Sequence, residues 1–441
     1  MLVPLSAFGA ALIAAYWYIY SSTPNAITNT LDSATLRYQN VFTALAPLIF
    51  GRRNANNYQR ICEIIAFNIS SESAVHYPGS KSYDNNIYHW ASSGTQQSAC
   101  SVEPGSTEDV GRILRILGAT LTPFGVKSGG HMVNPGSSST PGVEIALTRF
   151  NKVKYNPTTQ TVEFGSGLVF DDVYTALEPY NVSVAGARVS RIGVGGFMLG
   201  GGYSWKTNEY GLAIDNTLAY ELVKPDGNVV KVTELSDSEL FFGLKGGFNN
   251  FGIVTQFTMN ALPQPSIWAG TISYPPSSVS EVTKAIIKFC ENSKDPKANI
   301  AFAYNLVDGK PTVSGFVYYD GPSPPPGLFD DFLKIPAVSQ SVHERSLMDF
   351  IKEANLNAFI GLRGIFNTVP LLKTSPSIME VILNETTPLE ELLKLLPLPL
   401  RARIVCPSVS TRTVGTTDPL GKMDEAVERA WMAFQRNLGF R

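Results

Sequence analysis

The stretch Pro123-Phe-Gly-Val-Lys-Ser-Gly-Gly-His131 decides how the rest of the chain is interpreted. A short apolar run ends there in two consecutive glycines and a histidine. Because glycine has no Cβ, two adjacent glycines let backbone amides approach a ligand and permit positive φ angles. A histidine at the tip of such a loop offers a nucleophilic ring nitrogen. An ordinary turn has the same pattern, so its meaning depends on the motifs that lie downstream in the chain.

A second glycine-rich stretch, residues 193–202, reads Gly-Val-Gly-Gly-Phe-Met-Leu-Gly-Gly-Gly. It breaks the dinucleotide pattern GxGxxG at Met198, and no acidic residue follows a clear strand at the usual distance, which argues against a Rossmann site. The sequence contains neither a GxxxxGK[ST] P-loop nor an HExxH zinc motif. Strand and helix patterns flank the stretch and argue against a low-complexity linker. We therefore interpret it as a loop that forms a backbone-amide cradle for a phosphate or an oxidised ring.

Composition narrows the possible functions. The chain has 441 residues, which predicts two or three domains, and its formal net charge is −2. This charge balance gives no indication of a nucleic-acid partner or of binding to an anionic membrane surface. Aromatic residues make up 11% of the chain, which favours a strand-rich protein or one that binds flat ligands.

Between residues 100 and 260, helix and strand patterns alternate without a clean βαβ repeat, which predicts an α+β fold. Ser106, with Asp109 three residues later, marks the start of a helix. Asp226-Gly227 between two apolar runs predicts a hairpin. The proline-rich residues 261–266 mark a boundary, and the aromatic-rich runs beyond it predict a second domain built on an antiparallel sheet.

The N-terminal residues 2–20 carry no charge. They are long enough for a secretory signal peptide or a membrane anchor, with a buried helix as the remaining interpretation. We expect a secreted protein, with anchoring by residues 1–20 as the alternative, followed by a spacer over residues 21–55. Glycosylation sequons at Asn68, Asn181 and Asn384 fit an exported chain.

Four cysteines, Cys62, Cys100, Cys290 and Cys406, show no metal-like spacing, so we predict no metal site. Cys62 and Cys100 flank a turn-rich segment and are candidates for a disulfide in an exported chain.

Four motifs follow one another in order: the Gly-Gly-His loop, the polar run 134–140, the glycine stretch ending in Tyr203-Ser-Trp205, and Phe241-Phe-Gly-Leu-Lys-Gly-Gly-Phe-Asn-Asn-Phe-Gly-Ile-Val254. Together they resemble the FAD-binding (PCMH-type) half of the vanillyl-alcohol oxidase superfamily, particularly fungal members of the berberine-bridge-enzyme-like branch. The resemblance implies a two-part FAD-binding domain over 56–262. It also implies a substrate domain over 263–441, with an antiparallel sheet flanked by helices.

The resemblance implies that residues 127–130 wrap the flavin pyrophosphate and that His131 bonds covalently to the 8α-methyl group of the flavin. Such a bond raises the flavin's potential, which favours oxidation of poor hydride donors. Many relatives carry a second linkage through a cysteine, whose place Val189 takes here. Valine cannot form a thioether, so we expect attachment through His131 only. The implied cofactor contacts are Lys127, Ser128, Gly129, Gly130, His131, Val189, Gly193, Gly195, Gly196, Gly201, Gly202, Tyr203, Gly252, Ile253 and Val254.

The implied activity is oxidation of a hydroxyl group of a carbohydrate or secondary metabolite, with dioxygen or another acceptor reoxidising the flavin. A group must accept the hydroxyl proton, and Tyr203 is the candidate, with a packing role as the alternative. We interpret Glu209 and Asp215 as capping or loop residues. Arg363 is expected to form an ordinary salt bridge, with lining of the substrate cleft as the alternative. His343 is expected to be exposed.

Residues 400–441 lack the closing segment that is usual in the family, so this part is atypical or shortened. An impaired or non-catalytic FAD-binding protein is therefore the alternative interpretation. A membrane-anchored accessory protein is a third.

Overall fold

A computed structural model describes residues 55–307, 310–354, 360–364, 374–386 and 408–409. The predicted signal or anchor, nearly all of the spacer, Cys406 and almost all of the segment 400–441 lie outside these residues. The helices are α1 (Ala55–Asn68), α2 (Lys81–Ile87), α3 (Thr107–Thr120), α4 (Phe170–Leu177), α5 (Val194–Leu199), α6 (Thr207–Tyr210), α7 (Ser238–Leu244), α8 (Val279–Asn292), α9 (Asp330–Leu333), α10 (Leu347–Glu353) and α11 (Pro376–Thr386). The strands are β1 (Ala74–His76), β2 (Cys100–Glu103), β3 (Phe124–Lys127), β4 (Val143–Ala146), β5 (Val153–Asn156), β6 (Thr161–Gly165), β7 (Val182–Ser183), β8 (Thr217–Val223), β9 (Val229–Val232), β10 (Ile253–Asn260), β11 (Leu262–Pro263), β12 (Ile267–Tyr274), β13 (Ala298–Val307), β14 (Lys310–Tyr319), β15 (Ser339–Gln340), β16 (His343–Arg345) and β17 (Ser408–Val409).

The first sheet has the order β1-β2-β4-β3, in which β2, β4 and β3 are parallel. Helix α3 begins as predicted, because the Ser106 hydroxyl accepts a hydrogen bond from the Asp109 amide at 3.2 Å. Its apolar face, with Val110 and Ile113, joins the core beneath the sheet. The Cys62–Cys100 disulfide forms and joins α1 to β2.

The second sheet is antiparallel, with the order β5-β6-β10-β8-β9. The predicted hairpin at Asp226-Gly227 joins β8 to β9, and Gly227 adopts a φ of +80°. Phe164, Tyr220 and Phe257 pack ring against ring in the core of this sheet. The two sheets place the Gly-Gly-His loop and the glycine-rich stretch side by side.

The third sheet is also antiparallel, with the order β15-β12-β14-β13-β17 and β16 paired with β12. Helix α8 contributes Val282 and Ile286 to the core on one face. The Trp205 ring stacks on Tyr318 at 5.3 Å and links this sheet to the glycine-rich stretch. Sheet membership changes between residues 260 and 267, at the expected boundary. The division into two domains stays a prediction.

The predicted α+β class is confirmed. One detail differs, because residues 193–202 were expected to form a loop and instead contain the short helix α5. Val194 and Met198, four residues apart, are both fully buried, and this apolar face stabilises a helical turn that the glycine count obscured. Within the described residues, no helix combines the length and apolar character needed to cross a bilayer.

Candidate cofactor site

Ser128 fastens the Gly-Gly-His loop to the glycine-rich stretch. Its hydroxyl donates to the Ser166 carbonyl at 2.6 Å and accepts from the Gly195 amide at 3.0 Å. Lys127, just before it, is the last residue of β3, which pairs in parallel with β4. The end of a first-sheet strand is therefore held directly against the start of α5.

The backbones of the two glycine stretches are in contact. A Cβ on Gly193 would lie 2.2 Å from the Gly129 nitrogen, and one on Gly129 would lie 2.6 Å from the Gly193 Cα. Backbone atoms cannot yield as a flexible side chain can, so only glycine fits at either position. Gly130 adopts a φ of +69° and its carbonyl accepts a hydrogen bond from the Trp90 amide at 2.8 Å. The glycines at these positions are thus required by close backbone packing, and a cradle for a cofactor stays a prediction.

His131 lies at the end of this loop with its ring partly buried. Its Nε2 atom is buried and has no hydrogen-bond partner among the described residues. One face of the imidazole stacks on Trp90, with ring centroids 4.7 Å apart and planes inclined by 17°. Burial lowers the pKa of His131, because the charged form is poorly solvated there. A neutral imidazole is the nucleophilic form.

A cluster of buried ionisable side chains, Glu144, Lys127 and His89, lies next to this loop. Glu144 is fully buried, and neither carboxylate oxygen has a hydrogen-bond partner in the described part of the chain. Burial raises the pKa of Glu144 to about 8, an effect that nearby Lys127 opposes. Burial also lowers the pKa of Lys127. His89 is also buried, and its ring contacts the Ser138 hydroxyl at 2.8 Å.

The residues after α5 form a tight turn. Gly201 and Gly202 have φ angles of +105° and +75°, and their carbonyls accept hydrogen bonds from the amides of residues 214 and 213. The Arg188 guanidinium lies 4.6 Å from the centre of the Tyr203 ring. Val189, the next residue, is half-buried. Tyr203 and Val189 are therefore brought to one region.

The segment 252–254 enters β10 and lies at a different edge of the site. Gly252 adopts a φ of +139°, and a Cβ there would lie 2.3 Å from the Val223 carbonyl oxygen. Gly252 and Ile253 line a cavity of about 210 Å³ together with Val126 of β3. Val254 is buried in the strand and pairs with Leu222. Gly196, by contrast, has open space where a side chain would project.

The remaining candidates lie elsewhere. Asp215 accepts a hydrogen bond from the Leu212 amide at 2.7 Å, as a capping residue does. Glu209 does not cap: burial and the neighbouring Asp320 raise its pKa to about 7, and Asp320 forms a buried ion pair with Lys206. His343 is exposed on β16. Arg363 forms no salt bridge with any of the described residues.

Sequence reasoning missed two residues of the site. Trp90 carries no local signal, because its contact with His131 spans 41 positions of the chain. Glu144 does carry a local signal, because it is an acidic residue inside the otherwise apolar run Val-Glu-Ile-Ala-Leu at 143–147. A strand alternates its side chains, so the residue between two core positions faces the other side of the sheet.

Comparisons with known proteins agree with this geometry. Residues 98–233 match the model of a family described as an FAD binding domain. An FAD-dependent monooxygenase of Aspergillus calidoustus is 37% identical over 264 residues, which are 58% of this chain and 50% of that protein. Another FAD-dependent monooxygenase, from Emericella nidulans, is 33% identical over 313 residues, which are 69% of this chain and 65% of that protein. The chain thus spans about half to two thirds of the length of these curated relatives.

Two solved structures share the fold. The 6-hydroxy-D-nicotine oxidase of Arthrobacter nicotinovorans aligns with a TM-score of 0.58 at 23% identity, over 68% of this chain and 66% of that one. A glucooligosaccharide oxidase of Acremonium strictum aligns with a TM-score of 0.56 at 18% identity, over 66% of this chain and 62% of that one. At such identities the likeness establishes the architecture alone.

Proposed function

We propose that this chain, an FAD-binding PCMH-type flavoprotein related to fungal FAD-linked oxidoreductases, oxidises a hydroxyl-bearing small molecule with FAD attached covalently through His131. The observation that carries the proposal is the buried Nε2 of His131, which has no partner in the described structure and follows a loop built from tightly packed glycines. A nucleophilic nitrogen in such a position is available for a ligand.

The residues present fit a flavin nucleotide. The glycines of 128–130 and 193–195 keep side chains out of the place where the two segments meet, so an extended diphosphate can approach the backbone of the 128–130 loop. The Val194 and Gly195 amides donate to the Leu168 carbonyl and the Ser128 hydroxyl and hold the second segment against this loop. The cavity beside Gly252 and Ile253 is apolar on the β3 side, which suits the nucleotide end. Bound FAD would supply a hydride acceptor, and the protein would bind and orient it.

Attachment would be a two-electron oxidation of the protein–flavin pair. A ring nitrogen of His131 would bond to the 8α-methyl carbon, with loss of one N–H and one C–H bond. The two electrons and two protons would reduce the flavin, and an oxidant such as dioxygen would have to remove them. The Acremonium strictum oxidase is described as carrying a 6-S-cysteinyl, 8α-N1-histidyl FAD. Because valine occupies position 189 here, we propose the histidyl linkage alone.

Substrate oxidation also needs a proton acceptor beside the hydroxyl group. We assign this role to Tyr203, whose ring lies beneath the Arg188 guanidinium. A tyrosine hydroxyl is one of the side-chain groups that can take part in proton transfer with a substrate. Replacing Tyr203 by phenylalanine keeps the ring contact and removes only the hydroxyl group.

The names of the related proteins suggest two candidate reactions, which are oxidation of a hydroxyl group and insertion of oxygen. The fold neighbours include glucooligosaccharide and carbohydrate oxidases, which supports a carbohydrate or a secondary metabolite as hydride donor. The relatives of higher identity are named FAD-dependent monooxygenases, which favours oxygen insertion as the second candidate. That reaction would need an external reductant as well as dioxygen. The disulfide supports an extracellular location, and we propose secretion.

Anaerobic mixing with a panel of sugars, alcohols and phenolic metabolites tests the activity. An oxidase or dehydrogenase bleaches the flavin absorbance with at least one hydroxyl donor and without any added reductant. A monooxygenase stays yellow anaerobically and incorporates label from ¹⁸O₂ when a reductant is supplied. A protein that does neither is the non-catalytic flavoprotein, and the proposed activity fails.

A further inference from the structure

We propose that Trp90 is a positioning residue that holds the His131 imidazole in place for attachment to FAD. This inference deepens the proposed function and rests on it. The two rings stack at 4.7 Å with an inclination of only 17°. An attacking nitrogen must be aligned on the carbon it will bond to, and a ring free to rotate spends most of its time misaligned.

Hydrogen bonds to the backbone around His131 hold the segment that carries Trp90 against the segment that carries His131. The Trp90 amide donates to the Gly130 carbonyl at 2.8 Å, and the Ser93 hydroxyl donates to the Val133 carbonyl at 2.8 Å. Gly94 lies so close that an added Cβ would be 2.4 Å from the Met132 carbonyl oxygen. The segment carrying the indole is therefore attached to the segment carrying the imidazole, before and after His131.

The same indole segment is held from its other side by residues 361–364. The Gly361 amide donates to the Trp90 carbonyl at 2.8 Å, and the Ser92 amide donates to the Leu362 carbonyl at 3.0 Å. The Gly364 amide donates to the Ser93 hydroxyl at 3.0 Å. Both backbone groups of Trp90 are thus occupied, so the main chain that carries the indole is held from two sides.

This arrangement has two consequences for the imidazole. The indole covers one ring face and so defines the plane of the imidazole, in which the lone pair of the attacking nitrogen lies. Because the indole contacts the face of the ring and not its edge, Nε2 has no partner in the described structure, so no hydrogen bond must be broken first. A flat aromatic side chain is needed for both effects, whereas a flexible apolar one would supply bulk without a defined plane.

The test compares Trp90→Leu, Trp90→Met and Trp90→Phe, with the exposed neighbour Tyr88→Leu as a matched control. Each protein is produced under riboflavin limitation and then given FAD. The dissociation constant of unlinked FAD is measured by fluorescence, and the rate of attachment at saturating FAD is measured as flavin retained after acid precipitation. Thermal unfolding midpoints identify any variant that fails to fold. If either Trp90→Leu or Trp90→Met fails to fold, the other one carries the comparison.

We expect the Leu and Met variants to bind FAD normally but to attach it about fivefold more slowly or worse, as loss of an aromatic pair predicts. Trp90→Phe should stay within about twofold of wild type, and Tyr88→Leu should be unchanged. Wild-type attachment rates in the Leu and Met variants would overturn the role of Trp90 without affecting the proposed linkage through His131. A Phe variant as slow as the Leu and Met variants would do the same. Covalent flavin retained in His131→Ala would instead overturn the proposed linkage.

Discussion

Replacing the buried carboxyl of Glu144 should change how stability depends on pH. Glu144 is fully buried opposite Gly125, where an added Cβ would lie 3.1 Å from a carboxylate oxygen. Burial raises its pKa to about 8. The folded protein therefore holds this proton up to a higher pH than the unfolded chain does. Stability that is present below the unfolded pKa must fall as the pH rises towards 8.

The magnitude can be worked out from the pH interval. Between pH 5 and the pKa of about 8, three pH units correspond to at most roughly 4 kcal/mol of lost stability, since each unit is worth about 1.4 kcal/mol. Glu144→Gln keeps the shape and removes the titration. We expect the variant to match the wild type near pH 5 and to be more stable by about 2–4 kcal/mol at pH 9.

Urea unfolding of wild type and Glu144→Gln at pH 5, 7 and 9 measures the effect. The free energy of the wild type should decline over this range relative to that of the variant. Parallel pH dependences of the two proteins would refute the buried, proton-retaining state of Glu144. A variant less stable than wild type at pH 9 would show instead that the ionised carboxylate is favourably paired.

Three further predictions concern the site and its support. Gly193→Ala should abolish FAD retention, because its Cβ would lie 2.2 Å from the Gly129 nitrogen. The control Gly118→Ala, on α3 and outside the implied cofactor contacts, projects into open space and should retain FAD; equal retention would contradict the cradle. Cys62→Ser should lower the unfolding free energy by about 3–4 kcal/mol for a sequence separation of 38 residues, measured by urea titration against disulfide-bonded wild type, and an unchanged midpoint would count against it. Tyr203→Phe should slow anaerobic flavin reduction about 100-fold or more at unchanged flavin content; an unaltered rate in stopped-flow absorbance would assign the tyrosine to packing.

Local patterns predicted the elements that depend on local physics. Helix α3 has a capping serine and helically spaced apolar residues, and the β8–β9 hairpin has an Asp-Gly turn; both appear as expected. The glycine-rich stretch was expected to be a loop because glycine disfavours helices. Burial of Val194 and Met198 outweighs that preference and yields the helix α5.

The site depends more on long-range contacts, which a single sequence does not display. The order of the glycine motifs and His131 indicated the flavin-binding fold, because each motif is a short backbone device with its own signature. Trp90 reaches His131 only through the fold of a distant segment. Glu209 was interpreted as a cap, yet its partner Asp320 lies 111 positions away on the other side of the predicted domain boundary.

The central claim is that His131 is the sole covalent attachment point of FAD. Trypsin cleavage after Lys127 and Arg149 releases residues 128–149, a peptide that contains one histidine and no cysteine. Mass spectrometry of acid-denatured, digested protein should find flavin mass on this peptide alone and lose it in His131→Ala, whereas His343→Ala should keep it. Flavin on any other peptide, or an unmodified 128–149 peptide from yellow wild-type protein, would contradict the claim.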